Sequence, residues 1–380
     1  MRKLILAIGI AVLVGVAVYW ALPVRQPQTS LASGPGEPDL ASLLANISDE
    51  GFDRPSSNWK LKLPEDHGSH DTSRTETWQV LTHLRDQDGN ELGFQFLFLR
   101  IGIAAPTAPP QESIWDVREL ERVHVAILDG KSAKVAHEER FGRGIPGLSG
   151  FDRDAAELRL DNWYLRFEND GGKTTMTLYA TVRDKAVVEL TMRPEKAAVA
   201  LEPVGADTPF VGYSMTRLAV DGTVDQGHGE TAVTGTAWFD HLWGELPVPG
   251  RGPVAWDRLQ LQLEDGAEIS AVRSRRVDGS GSASVNGAIF EPNGEVISFD
   301  EETLQMTSSR IWQSASTGAK YPIELRMLGP DLDLSIEPLF EDQVLDFSVP
   351  LWSGIVRVTG SRAQSPVSGF GTLQLTGYER

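Results

Sequence analysis

The feature that most constrains this chain is a long series of short runs in which apolar and polar residues alternate. Such alternation is typical of β-strands that bury one face. After a short helical candidate at 39–47, a sustained helical spacing of apolar residues is almost absent. We therefore predict an all-β protein, with strands at 77–84, 92–101, 123–128, 158–167, 174–182, 187–192, 214–220, 232–239, 259–263, 323–327, 332–336, 355–359 and 371–375.

Two hairpin signals suggest that the chain contains a duplicated domain. Trp78 precedes an Asp-Gly turn at Gly89, and Trp256 precedes another at Gly266. Asp-Gly between two strands is a strong hairpin signal, although two such turns can also arise by chance. Because closed barrels remove exposed sheet edges, we predict two barrel domains, at 59–205 and 206–380, separated by a break rich in Pro and Gly near 203–209.

Residues 1–25 are predicted to form a transmembrane anchor. No charged residue occurs from Leu4 to Val24, and these 21 residues span a hydrocarbon core of about 30 Å as a helix. Arg2 and Lys3 precede the stretch, so the body should lie on the periplasmic or extracytoplasmic side of the inner (cytoplasmic) membrane. A cleaved signal peptide is the alternative, but its apolar region is usually only about 7–15 residues long. Residues 26–58 are expected to be a tether.

Composition excludes several classes of function. The 380 residues include no Cys, which excludes disulfides, zinc–thiolate sites and cysteine nucleophiles. The net charge is −18 and no basic run is longer than Arg275-Arg276, so we expect no nucleic-acid partner. A nucleophile elbow and a phosphate-binding glycine loop are also missing from the sequence, which disfavours acyl hydrolysis and nucleotide chemistry.

Asp240 is the first candidate for catalysis, because it lies next to His241 and between Trp238 and Trp243. A carboxylic acid kept protonated by apolar surroundings can protonate an alkene, and indole faces can stabilise the resulting cation. Asp257, next to Trp256, is a second candidate acid. The same residues could instead be structural, with the aromatic rings in the core and Asp240 capping a turn.

His67, His70 and Asp71 raise the question of a metal site, since two imidazoles and a carboxylate suit zinc. Their spacing differs from the His-Glu-x-x-His signature, and the sequence places no third ligand. We therefore expect no metal and no cofactor. Instead of a metal site, we expect this segment to be a polar loop at a barrel mouth, in which His70 or Glu76 pairs with Arg74.

Several motifs together resemble a known family. They are Pro-Glu-Asp-His-Gly-Ser-His at 64–70, Arg74-Thr75-Glu76 with Trp78, Gly-Thr-Ala-Trp-Phe-Asp-His-Leu-Trp at 235–243, and Trp256-Asp257. In this order they resemble the AttH/carotenoid 1,2-hydratase family of two-domain lipocalin-like proteins, often labelled secreted hydrolases, over about residues 61–378. The resemblance implies two consecutive lipocalin-like barrels.

The resemblance implies two alternative functions. The first is a membrane-tethered protein that binds a hydrophobic lipid or isoprenoid, accessory to an ABC-type export permease. The second is a cofactor-independent hydro-lyase that adds water to an isoprenoid double bond, with Asp240, His241, Trp243 and Asp257 as catalytic candidates. In either case the expected ligand-binding residues are His67, His70, Arg74, Glu76, Trp78, Trp238 and Trp256.

The chain departs from the family pattern at three positions. Relatives commonly have Trp and Tyr where this chain has Thr77 and Gln79, and Trp where it has Arg258. Either change predicts a different ligand or a site no longer used as in the hydratases, and the loss of Trp and Tyr at Thr77 and Gln79 favours the binding function.

Overall fold

The computed structural model describes residues 50–56, 58–109, 113, 117–183, 186–201, 209–246 and 254–378. The expected anchor at 1–25, the helical candidate at 39–47 and most of the tether lie outside these ranges and stay predictions. Within the described ranges, no helix is long and apolar enough to cross a membrane.

The first sheet has twelve antiparallel strands and curls into a nearly closed barrel. A 3-10 turn at Glu65–His67 precedes it. The strands are β1 (Thr75–Asp86), β2 (Glu91–Gly102), β3 (Glu119–Asp129), β4 (Lys134–Gly142), β5 (Ser149–Asp152), β6 (Glu157–Leu160), β7 (Trp163–Asp170), β8 (Lys173–Val182), β9 (Ala186–Pro194), β10 (Val199–Leu201), β11 (Phe210–Asp225) and β12 (Glu230–Gly244). Their order is β4-β3-β2-β1-β12-β11-β9-β8-β7-β6-β5, and β10 pairs with β11.

The second sheet has ten strands and forms a half-barrel around a core of its own. The strands are β13 (Val254–Leu263), β14 (Glu268–Arg276), β15 (Ser284–Phe290), β16 (Val296–Phe299), β17 (Gln305–Gln313), β18 (Lys320–Gly329), β19 (Leu332–Pro338), β20 (Val344–Leu345), β21 (Leu351–Arg362) and β22 (Ser365–Leu375). Their order is β16-β15-β14-β13-β22-β21-β19-β18-β17, and β20 pairs with β21.

The prediction of an all-β protein is confirmed, and every predicted run lies in strand structure. The run at 158–167 needs one correction, because it forms two strands. Leu160 ends β6 and Trp163 begins β7, with a turn between them in which Asp161 has a φ of 54°. Asp tolerates this left-handed conformation better than the bulky neighbours Leu160 and Trp163 would.

The predicted domain boundary at 205/206 does not match the boundary between the sheets. The hairpin of β11 and β12 belongs to the first sheet. There β11 pairs with β9, and β12 pairs with β1 along the whole length of β1. The Pro-rich break therefore connects β10 to β11 within one barrel. The first sheet ends at Gly244 and the second begins at Val254.

The two sheets share a connection pattern that supports the predicted duplication. Each starts with four strands in consecutive hairpins, β1 to β4 and β13 to β16, and its first strand also pairs with its last, β12 or β22. Gly89 and Gly266 occupy the first hairpin turn of each sheet with φ of 81° and 87°. Glycine adopts this left-handed conformation without steric cost.

Alternation along β1 determines which side chains face the barrel interior. Trp78 and Val80 belong to the core of the first barrel, whereas Leu81 packs with Trp238 and Phe290 in a separate cluster between the sheets. Successive side chains of a strand point to opposite faces, so neighbours in sequence are separated by the sheet.

Candidate functional site

Ionisable side chains replace apolar ones at one end of the first barrel. On β2, Arg100 follows the inward-facing Phe98, and on β3, Glu119 and Glu121 precede the inward-facing Val123. Arg100 is 3% exposed and Glu121 is 0% exposed. Burial of charged groups is costly unless they are paired or change their protonation state, so this end of the barrel is a candidate site.

Glu76 on β1 is the centre of a buried polar cluster. Its Oε1 lies 2.8 Å from Nδ1 of His70 and 2.9 Å from Nε2 of His241. The backbone N–H of His70 donates to Glu76 at 3.0 Å, and Nε of Arg100 donates to Oε2 at 3.1 Å. Burial favours the neutral carboxyl, but the hydrogen bonds from His241 and His70 and the charge of Arg100 outweigh it and hold the pKa of Glu76 far below its ordinary value.

Asp66 contacts the outer nitrogens of both histidines. Nδ1 of His241 donates to the backbone carbonyl of Asp66 at 2.9 Å, and Nε2 of His70 lies 3.4 Å from Oδ1 of Asp66. Burial lowers the pKa of His241 despite the nearby Glu76. Burial also opposes the charged form of His70, but Asp66 and Glu76 together raise the pKa of His70.

Aromatic rings enclose this cluster. The ring of His70 stacks on Trp243 with centroids 3.6 Å apart, and the ring of His241 stacks on Trp78 with centroids 4.5 Å apart. Trp59 packs edge-on against Trp243 at 5.1 Å. The packing restricts the orientation of both imidazoles, so their nitrogens point at fixed partners.

His67 lies deeper in the same barrel. Its Nδ1 is 2.5 Å from the hydroxyl of Tyr213, its Nε2 is 3.2 Å from the hydroxyl of Thr174, and its ring stacks on Phe167. Burial, assisted by the nearby His241, lowers the pKa of His67 to about 4. His67 is therefore neutral near pH 7.

Arg100 links the cluster to a pair of carboxyl groups on β3. Its guanidinium also lies 3.5 Å from Glu119 and donates to the carbonyl of His70 at 2.9 Å. Burial raises the pKa of Glu119, although Arg100 opposes the rise. Burial raises the pKa of Glu121 to about 7, despite the nearby Ser149 hydroxyl and Gly144 N–H. Among the described residues, no hydrogen bond of standard geometry reaches either carboxyl oxygen of Glu121.

A cavity of about 430 Å³ is lined by Glu119, whereas Glu121 does not itself line it. The walls combine the aromatic side chains Trp78, Phe98 and Phe151 with Ser149, Gly150 and the charged side chains Asp71, Arg100, Arg118, Arg143, Asp152 and Arg159. A Cβ at Gly150 would lie 3.3 Å from Oε1 of Glu121 and 3.9 Å from Oε1 of Glu119. Because Gly150 has no side chain, the space between the cavity and both carboxyl groups stays free.

The structure separates Asp240 from His241. They are adjacent on β12, but His241 faces the barrel interior and Asp240 lies between the two sheets. There the carboxylate of Asp240 accepts hydrogen bonds from Ser214, Trp238, Arg258 and Gln260. Both Asp240 and Trp238 therefore contribute to the contact between the sheets, outside the cavity.

Asp257 and Trp256 lie on β13, in the second sheet. The carboxylate of Asp257 accepts hydrogen bonds from Arg273 at 2.8 Å and from the hydroxyl of Tyr378 at 2.9 Å. Burial raises the pKa of Asp257, although Arg273 and Arg275 oppose it.

Arg74, at the start of the first barrel, donates to the carbonyl of Gly102 and lies over the ring of Phe52.

Six of the predicted site residues do come together, all at one end of the first barrel: His67, His70, Glu76, Trp78, His241 and Trp243. Five residues of this site were not predicted from the sequence: Asp66, Arg100, Glu119, Glu121 and Tyr213. Acidic residues at alternate positions in line with Val123 and Val125 were the available signal, since they place Glu119 and Glu121 on an apolar strand face.

The departures from the family pattern lie outside the cavity. Gln79 contacts Gln374 of the second sheet, and Arg258 bonds Asp240 and Gln79 between the sheets. Thr77 lies on the same face of β1 as Gln79, opposite Trp78. These substitutions change the contact between the sheets and leave the cavity wall at Trp78 intact.

Comparison with known proteins agrees with the fold. A crystal structure of a protein from Nitrosomonas europaea, described as a candidate AttH, is 27% identical with a TM-score of 0.73, and the match covers 86% of this chain and 100% of that one. Kievitone hydratase from Nectria haematococca is 15% identical with a TM-score of 0.63, covering 87% and 97%. CghA in complex with a ligand is 14% identical with a TM-score of 0.51, covering 88% and 98%. The last two show only that the fold is shared.

A search of curated proteins finds no match. The family model described as AttH-like matches residues 54–378, which is most of the chain and includes the whole candidate site. The chain therefore belongs to the AttH-like family.

Proposed function

We propose that the first barrel is the active site of a hydratase that adds water to a carbon–carbon double bond of a compact hydrophobic molecule, such as an isoprenoid. The observation that carries this proposal is a pair of carboxyl groups at the cavity: Glu119 lines it, and the fully buried Glu121 lies behind Gly150 of its wall. Burial raises the pKa of Glu121 to about 7, which favours the protonated form needed for a proton donor. A pocket that only stores or transfers a lipid needs apolar walls and a mouth, but no acid at its end.

The proposed reaction uses two carboxyl groups. The Oε–H of Glu121 protonates one alkene carbon, and the electron pair of the double bond forms the new C–H bond. A water molecule attacks the resulting cation, and the ionised Glu119, held by Arg100, accepts the proton that this water loses. Transfer of that proton from Glu119 to Glu121 restores the starting state, so atoms and charges balance.

Aromatic side chains would stabilise the cation. Trp78 and Phe98 line the cavity, and an indole face lowers the energy of a nearby cation by about 0.5–2 kcal/mol. A volume of about 430 Å³ is at the lower end of the roughly 300–1,000 Å³ found for small-molecule pockets. The cavity therefore suits a compact substrate, or one end of a longer chain.

The name of one structural neighbour supports this chemistry. Kievitone hydratase is, by its name, a hydratase, and it shares the fold over nearly its whole length. The departures from the family pattern at Thr77, Gln79 and Arg258 lie between the sheets, so they give no reason to expect a lost active site.

The test is turnover of isoprenoid alkenes of about ten to fifteen carbons, a size that the cavity can hold. The protein is incubated with them in heavy-oxygen water, and products are analysed by mass spectrometry. We expect an alcohol that contains the heavy oxygen, and a loss of at least about 100-fold in Glu121→Gln. The control Asp257→Asn changes a buried carboxyl in the second sheet and should retain turnover.

Two results would refute the proposal: equal turnover by Glu121→Gln and wild type, or unmodified lipid bound stoichiometrically without any turnover. The second result would instead support the carrier function.

The membrane anchor, the extracytoplasmic location and the association with an ABC-type permease are also proposals. They rest on the N-terminal sequence and on the family resemblance. Retention of the full chain in the membrane pellet after a high-salt wash tests the anchor, and crosslinking in intact cells tests the permease.

A further inference from the structure

We infer that His70, Glu76 and His241 form a binding site for one divalent transition-metal ion, with zinc as the best fit. The inference goes beyond the proposed hydration, in which Glu121 rather than a metal supplies the proton. It also departs from our sequence analysis, in which no third ligand accompanied the histidines.

The three side chains present a suitable set of ligand atoms. Nδ1 of His70, a carboxylate oxygen of Glu76 and Nε2 of His241 all lie within 4.8 Å of one another. Two imidazoles and one carboxylate are a common zinc donor set, with metal–ligand distances of about 2.0–2.2 Å. At that distance, ligand atoms around a tetrahedral ion are about 3.3 Å apart. The observed separations of 2.8 and 2.9 Å from Glu76 need to lengthen by only about half an ångström to admit an ion.

The two ring nitrogens of His241 are also oriented as a metal site requires, with Nε2 facing Glu76. Its Nδ1 faces the backbone carbonyl of Asp66, which can only accept, so Nδ1 carries the hydrogen. A neutral imidazole has one N–H, and the lone pair of Nε2 then points directly at Oε1 of Glu76. The 2.9 Å between Nε2 and Oε1 can hold a shared cation, either a proton or a metal ion, so this geometry is compatible with a metal site.

The surroundings resemble the outer layer of a histidine metal site. Histidines that bind zinc usually donate their other ring N–H to a carbonyl or a carboxylate. Here His241 does so to the carbonyl of Asp66, and the outer nitrogen of His70 faces the carboxylate of Asp66. Arg100 bonds the second oxygen of Glu76, while the first oxygen, which also accepts the backbone N–H of His70, faces the two imidazole nitrogens.

Such an ion would connect two distant parts of the chain. His70 and Glu76 belong to the segment that enters β1, and His241 belongs to β12. An ion that binds only the folded state raises the free energy of unfolding, so it would stabilise the pairing of β1 with β12 at this end of the barrel.

The test uses the full chain purified with a tag that contains no histidine. After incubation with zinc and dialysis, elemental analysis should give about one zinc per chain. Zinc added to chelator-treated protein should raise the unfolding midpoint by roughly 5 °C or more, and magnesium should not. Cobalt added in place of zinc should produce the visible absorption bands of a protein-bound ion.

The variants His70→Ala and Glu76→Gln should lose the metal and the thermal shift. His228→Ala, at an exposed loop histidine, is the matched control and should retain both. Less than about a tenth of an equivalent of zinc in the wild type, or an equal zinc content in the two site variants, would overturn the inference. Because the first measurement needs only the wild type, a variant that fails to fold does not obscure the outcome.

Discussion

Replacing Glu121 by glutamine should make the protein progressively more stable, relative to the wild type, as the pH rises. The side chain is fully buried, and burial raises its pKa from 4.5 to about 7. Between these two values the folded state keeps the proton and the unfolded state releases it. The wild type therefore loses stability as the pH increases through this window, whereas glutamine has a similar shape and does not titrate.

The magnitude follows from the two pKa values. A rise from 4.5 to about 7 is a difference of about 2.5, and each pKa unit corresponds to about 1.36 kcal/mol. The contribution of Glu121 is fully favourable below pH 4.5 and is lost above about pH 7. The free energy of unfolding of Glu121→Gln minus that of the wild type should thus increase by about 3 kcal/mol from pH 4.5 to about pH 8.

Urea denaturation followed by tryptophan fluorescence, repeated across this pH range, measures the difference. Glu189→Gln, at an exposed position of β9, is the control and should follow the wild type at every pH. If the stabilities of Glu121→Gln and the wild type run parallel across the range, Glu121 has an ordinary pKa and its proposed role as the acid fails.

Three further predictions follow from the contacts. Arg100→Met should destabilise the protein by about 3–5 kcal/mol in urea denaturation, because it leaves the buried carboxylate of Glu76 without its guanidinium partner. Asp240→Asn should cost about 2–3 kcal/mol, from weaker hydrogen bonds between the sheets, while turnover of the isoprenoid probe by the folded protein is unchanged. Gly150→Ala should reduce that turnover because its Cβ would lie at the cavity wall, 3.3 Å from Oε1 of Glu121, whereas Gly294→Ala, also at positive φ but in a turn of the second sheet with open space around its Cβ, should not.

Most of the secondary structure could be predicted from the sequence because alternation is a local signal. The run at 77–84 lies within β1, and the Asp-Gly turns at Gly89 and Gly266 are both first hairpins of a sheet. The domain boundary was harder, since nothing local shows that the hairpin of β11 and β12 returns to pair with β1. That pairing joins residues far apart in the chain.

Individual residues of the site could be predicted from the sequence, but their contacts could not. His70, Glu76 and His241 were recognised as individual candidates from their motifs, but the sequence could not show that they contact one another across β1 and β12. Arg100 and Glu121 carry no motif, and they matter only because the barrel buries them next to the cavity.

By itself, the sequence determined the class of fold, the strand pattern, the hairpin turns and most of the residues around Glu76, because each depends on short-range spacing. Only the tertiary structure decided which face of each strand is inside. Since side chains alternate across a strand, it placed His241 in the barrel and its neighbour Asp240 between the sheets. It also decided which carboxyl group keeps its proton closest to neutral pH, namely Glu121, because a pKa depends on burial and on charges from distant segments.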